Sequence, residues 1–307
     1  MISTKVLGAY AAILPLPPAE QASWYRKAAQ DWGINTFEIP LLANTPLAPE
    51  LAENFAEVSA SLVVTLVAQW ASAGQANPAY GLASPQENAR RAALLDATSV
   101  LQQATALTGQ GIAIRNIAVH TGQHLGSTIA HAIAFYRSLT ELKGLMATAL
   151  PDTALSVEIT DSLPLDHPIA FPGAKKASLD LDALSQILGA VNNDTPDRPV
   201  SLIVNWGRLL INGDVPLDIV NQILVSEIPL AGVILSGADA TPNGFADAHN
   251  SHLDPNSGFT TKDAQACAAA LNASTDSIFM GTKYGRKKGD SQLSVEEILN
   301  AQAELLS

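Results

Sequence analysis

"VSLIVNWGRLLINGD", Val200 to Asp214, is the stretch on which the fold turns. Its first part, Val200 to Asn205, is almost wholly aliphatic. A strand with one wet face alternates apolar and polar residues, and this run does not. An unbroken aliphatic run of that length fits a strand of a parallel sheet covered on both faces. The chemistry then changes abruptly. Asn205 offers an amide, and Trp206 a flat apolar face of the kind sugar rings pack on. Gly207 lets the backbone turn, and Arg208 presents a planar fork for carboxylate or phosphate.

Working outward, seven more runs of this type occur. They are Thr4 to Tyr10, Asn35 to Ile39, Leu62 to Val67, Ile112 to His120, Ala154 to Ile159, Ala231 to Ser236 and Ser277 to Gly281. Helical periodicity fills the intervals, as in Ala19 to Trp32, Ser84 to Thr108, Ser127 to Ala149, Asp180 to Val191 and Thr261 to Ala273. Ser294 to Leu306 closes the chain as a helix, with Ser294 and Glu297 spaced as a capping box. Eight strands, each followed by a helix, predict a (β/α)8 TIM barrel, α/β in class, formed by one domain over residues 1–307. An open doubly wound sheet is the alternative, but "GAYAAILPLPP" after the first strand has prolines where a dinucleotide loop needs glycines.

The net charge of -12 argues against nucleic acid or an anionic membrane as a partner, since both need a basic surface. A single cysteine, Cys267, rules out an internal disulfide and a cysteine zinc cluster, and its alanine-rich surroundings read as a buried helix. The prolines that cut the first apolar run make it a poor signal peptide, and no stretch reaches the roughly 18 apolar residues of a membrane span. A cytoplasmic protein is expected.

Barrel chemistry sits at the carboxyl ends of the strands. Polar residues stand there: Tyr10, Glu38, Thr65, Gln69, Trp70, His120, Glu158, Thr160, Asp161, Asn205, Arg208, Ser236, Asp239 and Lys283. Strands always run out into polar loops, which accounts for some of them. It accounts less well for Glu38 in "TFEIP" and Glu158 in "LSVEIT", because a carboxylate inside an apolar segment needs a cation, a proton or hydrogen bonds. His120 is a candidate general acid or base. Trp206 reads equally well as core. His124, His131 and His167 read as structural or solvent-facing. In "FMGTKYGRKKGD" Lys283 is nearest the strand end, while Arg286, Lys287 and Lys288 read as a solvated loop.

"YGLASPQENARRAALLDAT", Tyr80 to Thr98, resembles the segment after the third strand in xylose-isomerase-like TIM barrels. "GAYAA", "VNWGR", "LSGAD", "ADAH" and "GTKYG" resemble one bacterial branch of that superfamily, known only as a domain of unknown function, over nearly the whole chain. The resemblance implies isomerase, epimerase or endonuclease chemistry with a divalent metal. The epimerases it resembles place Glu, Asp, His and Glu ligands at the ends of strands five to eight. By position Glu158 matches the first, Asn205 stands for the Asp, Ser236 lies near the His, and Lys283 stands for the last Glu. An amide, a hydroxyl and an ammonium are poor ligands, and the ammonium repels a cation.

"GFADAHNSHLDP", Gly244 to Pro255, reads as a long loop after the seventh strand, placed to bring Asp247 and His249 over the mouth. Two site readings follow. In one, a divalent metal (Mg²⁺, Mn²⁺ or Zn²⁺) moves to Glu158 and loop ligands, Asp247 and His249 first, with His252 the other candidate. In the other there is no metal: Lys283 or Arg208 supplies positive charge while Glu158 and His120 handle protons. Both predict a sugar isomerase or epimerase, with Tyr10, Glu38, Asn205, Trp206, Arg208, Ser236, Asp247 and His249 lining the substrate site. The alternatives are a hydrolase or lyase using Glu38 and Glu158, distinguishable by their separation, and a sugar-binding barrel without chemistry. A homodimer is expected by analogy only.

Overall fold

A computed structural model describes residues 2–122, 128–163, 178–242, 244–286 and 294–306. Eight strands form a closed parallel barrel. We number them β1 (Ile2–Leu7), β2 (Thr36–Pro40), β3 (Ser61–Thr65), β4 (Ala113–Val119), β5 (Ala154–Glu158), β6 (Ser201–Asn205), β7 (Leu230–Leu235) and β8 (Ile278–Thr282). Each pairs with its neighbours in chain order. Leu7 of β1 closes the ring, lying opposite Phe37 of β2 on one side and Thr282 of β8 on the other.

The strands are buried on both faces, as their aliphatic runs require, yet the period of two still sorts their side chains. Leu7, Phe37, Leu62, Val64, Ile117, Val119, Leu155, Val157, Leu202, Val204, Val233, Leu235, Ile278 and Met280 pack outward into one core with the helices. Val6, Val63, Ala118, Ile203, Ile234 and Phe279 form a separate cluster that plugs the barrel interior. Gly232 makes room for that plug, because a Cβ there would lie 2.3 Å from the Phe279 ring.

Helix ends follow the sequence closely. Ser294 and Glu297 make the reciprocal capping bonds ahead of helix Val295–Leu306. Thr260 and Asp263 make a second box ahead of Thr261–Ala273. Cys267 is buried in that helix, and burial pushes its thiol up to about 12, so it is inert near neutral pH. Among the described residues no helix is long and apolar enough to cross a membrane.

Two boundaries differ from expectation. The first strand ends at Leu7, and Tyr10 opens the short helix Tyr10–Ile13. Gly8 is the cause. Its N–H donates to Thr282 O at 2.7 Å, and a Cβ would meet that oxygen at 2.8 Å and Glu38 Oε2 at 3.1 Å. The chain can leave the strand against β8 only without a side chain. Gly8→Ala is expected to lower the unfolding free energy by about 1–3 kcal/mol in urea titration, the range for overpacking. An unchanged midpoint would refute the close-approach reading.

The second difference is the loop expected over residues 244–255. Its first part, Gly244–Asn250, is a strand paired antiparallel with Gly237–Thr241. The hairpin is seated by two glycines. Gly237 lies against Ser257, and Gly258 leaves space for the Phe245 ring, which a Cβ would approach to 2.4 Å.

Candidate active site

Two residues beyond the inner plug, on the same inward face, stand Gly8, Thr65, His120, Asn205 and Ser236. Glu38 and Glu158 follow inward Thr36 and Ser156 by the same step, and Lys283 lies just past β8. The strand period therefore delivers a ring of polar groups to the carboxyl end of the barrel. None of Glu38, His120, Glu158, Asn205, Ser236 or Lys283 is more than 3 % exposed, so each charge needs a partner within the protein.

The centre of the ring is the Lys283 ammonium. Its Nζ donates to Glu38 Oε1 at 2.8 Å and lies 3.7 Å from Glu158 Oε1. The Tyr10 hydroxyl donates to Glu38 Oε1 at 3.2 Å, and its ring lies 5.4 Å from Nζ. On the other side Asn205 Nδ2 donates to Glu158 Oε1 at 2.8 Å, and His120 Nε2 stands 3.0 Å from Glu158 Oε2.

One ammonium thus serves two carboxylates, and their environments push them apart. Burial raises the Glu38 carboxyl, and Lys283 does not fully offset it. Burial would raise Glu158 too, but Lys283, His120 and Asn205 together hold it well below the ordinary range. Burial works against the Lys283 charge, yet Glu158 and Glu38 hold that ammonium well above the ordinary lysine value. The Tyr10 phenol is raised, chiefly by burial and then by Glu38, and stays protonated.

A second cluster sits beside the first. Arg208 Nη1 donates to Asp161 Oδ1 at 3.0 Å and lies 2.7 Å from Asp247 Oδ2. Burial disfavours its charge, but the two carboxylates hold its pKa above the ordinary value. Arg208 Nη2 lies 3.5 Å from His249 Nε2, and His249 Nδ1 lies 3.4 Å from Ser236 Oγ. Ser236 donates to Asn205 Oδ1 at 3.1 Å. A one-way chain follows if Arg208 donates to Nε2, since Nδ1 then carries the proton and Ser236 passes its own to Asn205. The chain ends at Glu158. His249 adopts φ 51°, in the left-handed region that a side chain other than glycine rarely enters. The strained residue is, with Asp247, one that links the hairpin to the barrel mouth.

Most of the expected residues converge here: Tyr10, Glu38, His120, Glu158, Asn205 and Lys283 in the first cluster, and Arg208, Ser236, Asp247 and His249 along the second. Trp206 does not. It is 2 % exposed and packs in the helix-facing core, with its ring 5.7 Å from Phe259. The strand period explains this, because Trp206 follows inward Asn205 and so points the other way. Trp70 is likewise core, against Tyr80, and Gln69 donates to Asp96. His252 lies away from the carboxylates, with Nδ1 3.1 Å from the Tyr284 hydroxyl. His131 lies near the start of helix Ile129–Ala149, with its Nδ1 2.8 Å from Thr128 Oγ1. His124, His167, Lys287 and Lys288 lie outside the described residues.

The metal set Glu158, Asp247 and His249 is not assembled. Among the described residues no three His, Cys, Asp or Glu side chains are grouped to hold a metal ion. The reason is competition: Arg208 takes Asp247, while Lys283, His120 and Asn205 take Glu158. The donor set at the ends of β5 to β8 does not fit a divalent cation either. Lys283 and Asn205 both turn N–H donors, not oxygens, toward Glu158. Asp161 gained less notice in the sequence than its role merits. It stands three residues past Glu158, as Arg208 stands three past Asn205 on the adjacent strand, and that matched offset was the available signal.

Residues 6–297 match the model of a family described as a domain of unknown function, DUF4862. The chain belongs to that family. No curated protein matches it by sequence. Solved structures share the fold of this family member at low identity. A 3-keto-D-glucoside 4-epimerase from E. coli superposes with TM-score 0.60 at 13% identity, covering 99% of each chain. An L-ribulose 3-epimerase gives 0.61 at 13%, covering 99% of this chain and 92% of its own. A xylose isomerase-like TIM barrel protein from Mycobacterium smegmatis, solved in complex with magnesium, gives 0.55 at 13%, covering 100% and 98%. The (β/α)8 barrel expected from the sequence is therefore the fold observed.

Proposed function

We propose that this protein is an isomerase or epimerase of a small sugar or sugar derivative, working by acid–base chemistry at the carboxyl end of the barrel. One observation carries the reading. Two buried carboxylates, Glu38 and Glu158, share the Lys283 ammonium and are pushed in opposite directions. Environments that separate paired titrating groups mark the acid and the base.

The roles follow from the atoms. Glu158, held ionised, accepts the Nε2 proton of His120 and so keeps the ring's lone pair on Nδ1. That nitrogen takes the proton from the carbon next to the substrate carbonyl. The enediolate oxygen then gains negative charge, which the Lys283 ammonium offsets in a site shielded from water. Glu38, raised toward its protonated form and joined to Tyr10, returns a proton to carbon. Arg208 and His249 lie where they can orient substrate hydroxyls. The epimerase activities named for the solved relatives support the substrate class. The reading places the enzyme in the cytoplasm, consistent with a lone buried cysteine. It includes a homodimer, supported by Ile129 and Ile133, exposed one turn apart on helix Ile129–Ala149.

A glycosidase pair is disfavoured. The carboxylates are close enough, since Lys283 Nζ reaches both, but the ammonium lies between them where a glycosidic oxygen would need to stand. The test is proton exchange in D2O. Incubation with L-ribulose, D-fructose and a 3-keto-glucoside is expected to replace the hydrogen α to the carbonyl of at least one, read by NMR. Folded protein that exchanges none of the three would overturn the reading.

A further inference from the structure

We infer that the Lys283 ammonium occupies the place that a divalent cation takes in barrels of this type, so that the site's positive charge is covalently part of the chain. The inference uses the same cluster as the proposed reaction, but its test needs no substrate.

Three observations meet. First, the ammonium sits between Glu38 and Glu158, with 2.8 Å and 3.7 Å to their oxygens. Those two side chains come from β2 and β5, on different sides of the barrel, and among the described residues no other cation is paired with either in a non-histidine salt bridge. Second, among the described residues the side chains that contact Glu158 present N–H or N: His120 and Asn205 within hydrogen-bond distance and Lys283 as an ion pair. Its oxygens are already accepting, and a metal would have to displace an amide, an imidazole and an ammonium together. Third, Asn205 cannot turn its oxygen inward without losing Ser236, which donates to Oδ1. The hairpin secures this orientation, because His249 lies 3.4 Å from Ser236 Oγ.

Charge alone reinforces the geometry. A dication within a few ångströms of a buried ammonium is repelled at low effective dielectric, where Coulomb energies are several-fold larger than in water. Neutralising or reversing the charge at position 283 removes that barrier. It leaves Glu38 and Glu158 facing the vacated space, with the His120 imidazole on the other oxygen of Glu158, and Lys283→Glu adds a third carboxylate. Oxygen and imidazole ligands suit Mn²⁺.

The experiment is Mn²⁺ titration followed by electron paramagnetic resonance, on the full chain freed of metal by dialysis. The unaltered protein is expected to bind no stoichiometric Mn²⁺. Lys283→Glu is expected to bind one Mn²⁺ per chain at least tenfold more tightly, and to lose it when Glu158→Gln is added. If the lysine variant folds poorly, its melting temperature read with and without Mn²⁺ serves in place of the titration, and a rise supports the inference. Stoichiometric Mn²⁺ on the unaltered protein, removed by Glu158→Gln, would overturn it. So would a folded Lys283→Glu chain that binds Mn²⁺ no better than the unaltered one. Neither result bears on deuterium exchange, so the two proposals fail separately.

Discussion

Lys283→Met is expected to cost the fold about 3–5 kcal/mol, the usual penalty when one partner of a buried ion pair is deleted. The methionine fills much of the same volume, so the loss is electrostatic and not a cavity. Two carboxylates remain, at 1 % and 2 % exposure, with no cation between them. The pH dependence identifies the cause. Without the ammonium Glu38 rises further above its unfolded value near 4.3, and Glu158 loses the largest charge that holds it down. A group raised in this way binds protons more tightly in the folded state, so stability falls as pH climbs from its unfolded pKa through its folded one. The deficit should therefore be smallest near pH 5 and grow toward pH 8.

The unaltered protein behaves otherwise. Glu158 is depressed, so its contribution is present above the unfolded value and is lost as pH falls through the folded one. Lys283 is raised, so its contribution is present below its unfolded value and is lost as pH rises through the higher folded value. Glu38 runs the other way and offsets part of the acid-side loss. Urea midpoints of both proteins at pH 5 and pH 8 check this. An equal shift at the two pH values would show that packing, not charge, was lost.

Glu158→Gln is expected to lower kcat by about 10²–10⁴, the range for losing a general acid–base partner, with a smaller change in KM. The amide keeps the shape and can still accept from one neighbour. It cannot carry the charge that fixes the His120 tautomer or balances Lys283. Steady-state kinetics on whichever sugar shows exchange gives the split. A large rise in KM at unchanged kcat would reassign Glu158 to substrate binding.

Much of this was legible beforehand. The eight aliphatic runs pointed to parallel strands covered on both faces, and prolines where a dinucleotide loop needs glycines favoured a barrel over an open doubly wound sheet. Glu38 and Glu158 stood out because carboxylates interrupt those runs. What the runs concealed was parity. In β6 only Ser201 and Asn205 break the aliphatic run, so Trp206 directly after it looked as exposed to the mouth as Asn205. Only the split between an inner plug and an outer core separates them. The pairing of Lys283 with Glu38 was hidden for another reason: they stand 245 positions apart in sequence, and only closure of the ring brings them together. The hairpin reads as a loop in sequence because its strand begins with a glycine and carries polar residues, and what seats it is Phe245 against Gly258.

That long separation has a kinetic side. Glu38 enters the chain early and meets its cation only when the last strand docks between the first and the seventh. Until then an acidic group must stay hydrated or protonated, which opposes early collapse of the amino-terminal half. Such distant pairings slow folding, because the entropy of closing the chain is lost before the contact forms. The site's charge balance is thus a late event, set only when the ring shuts.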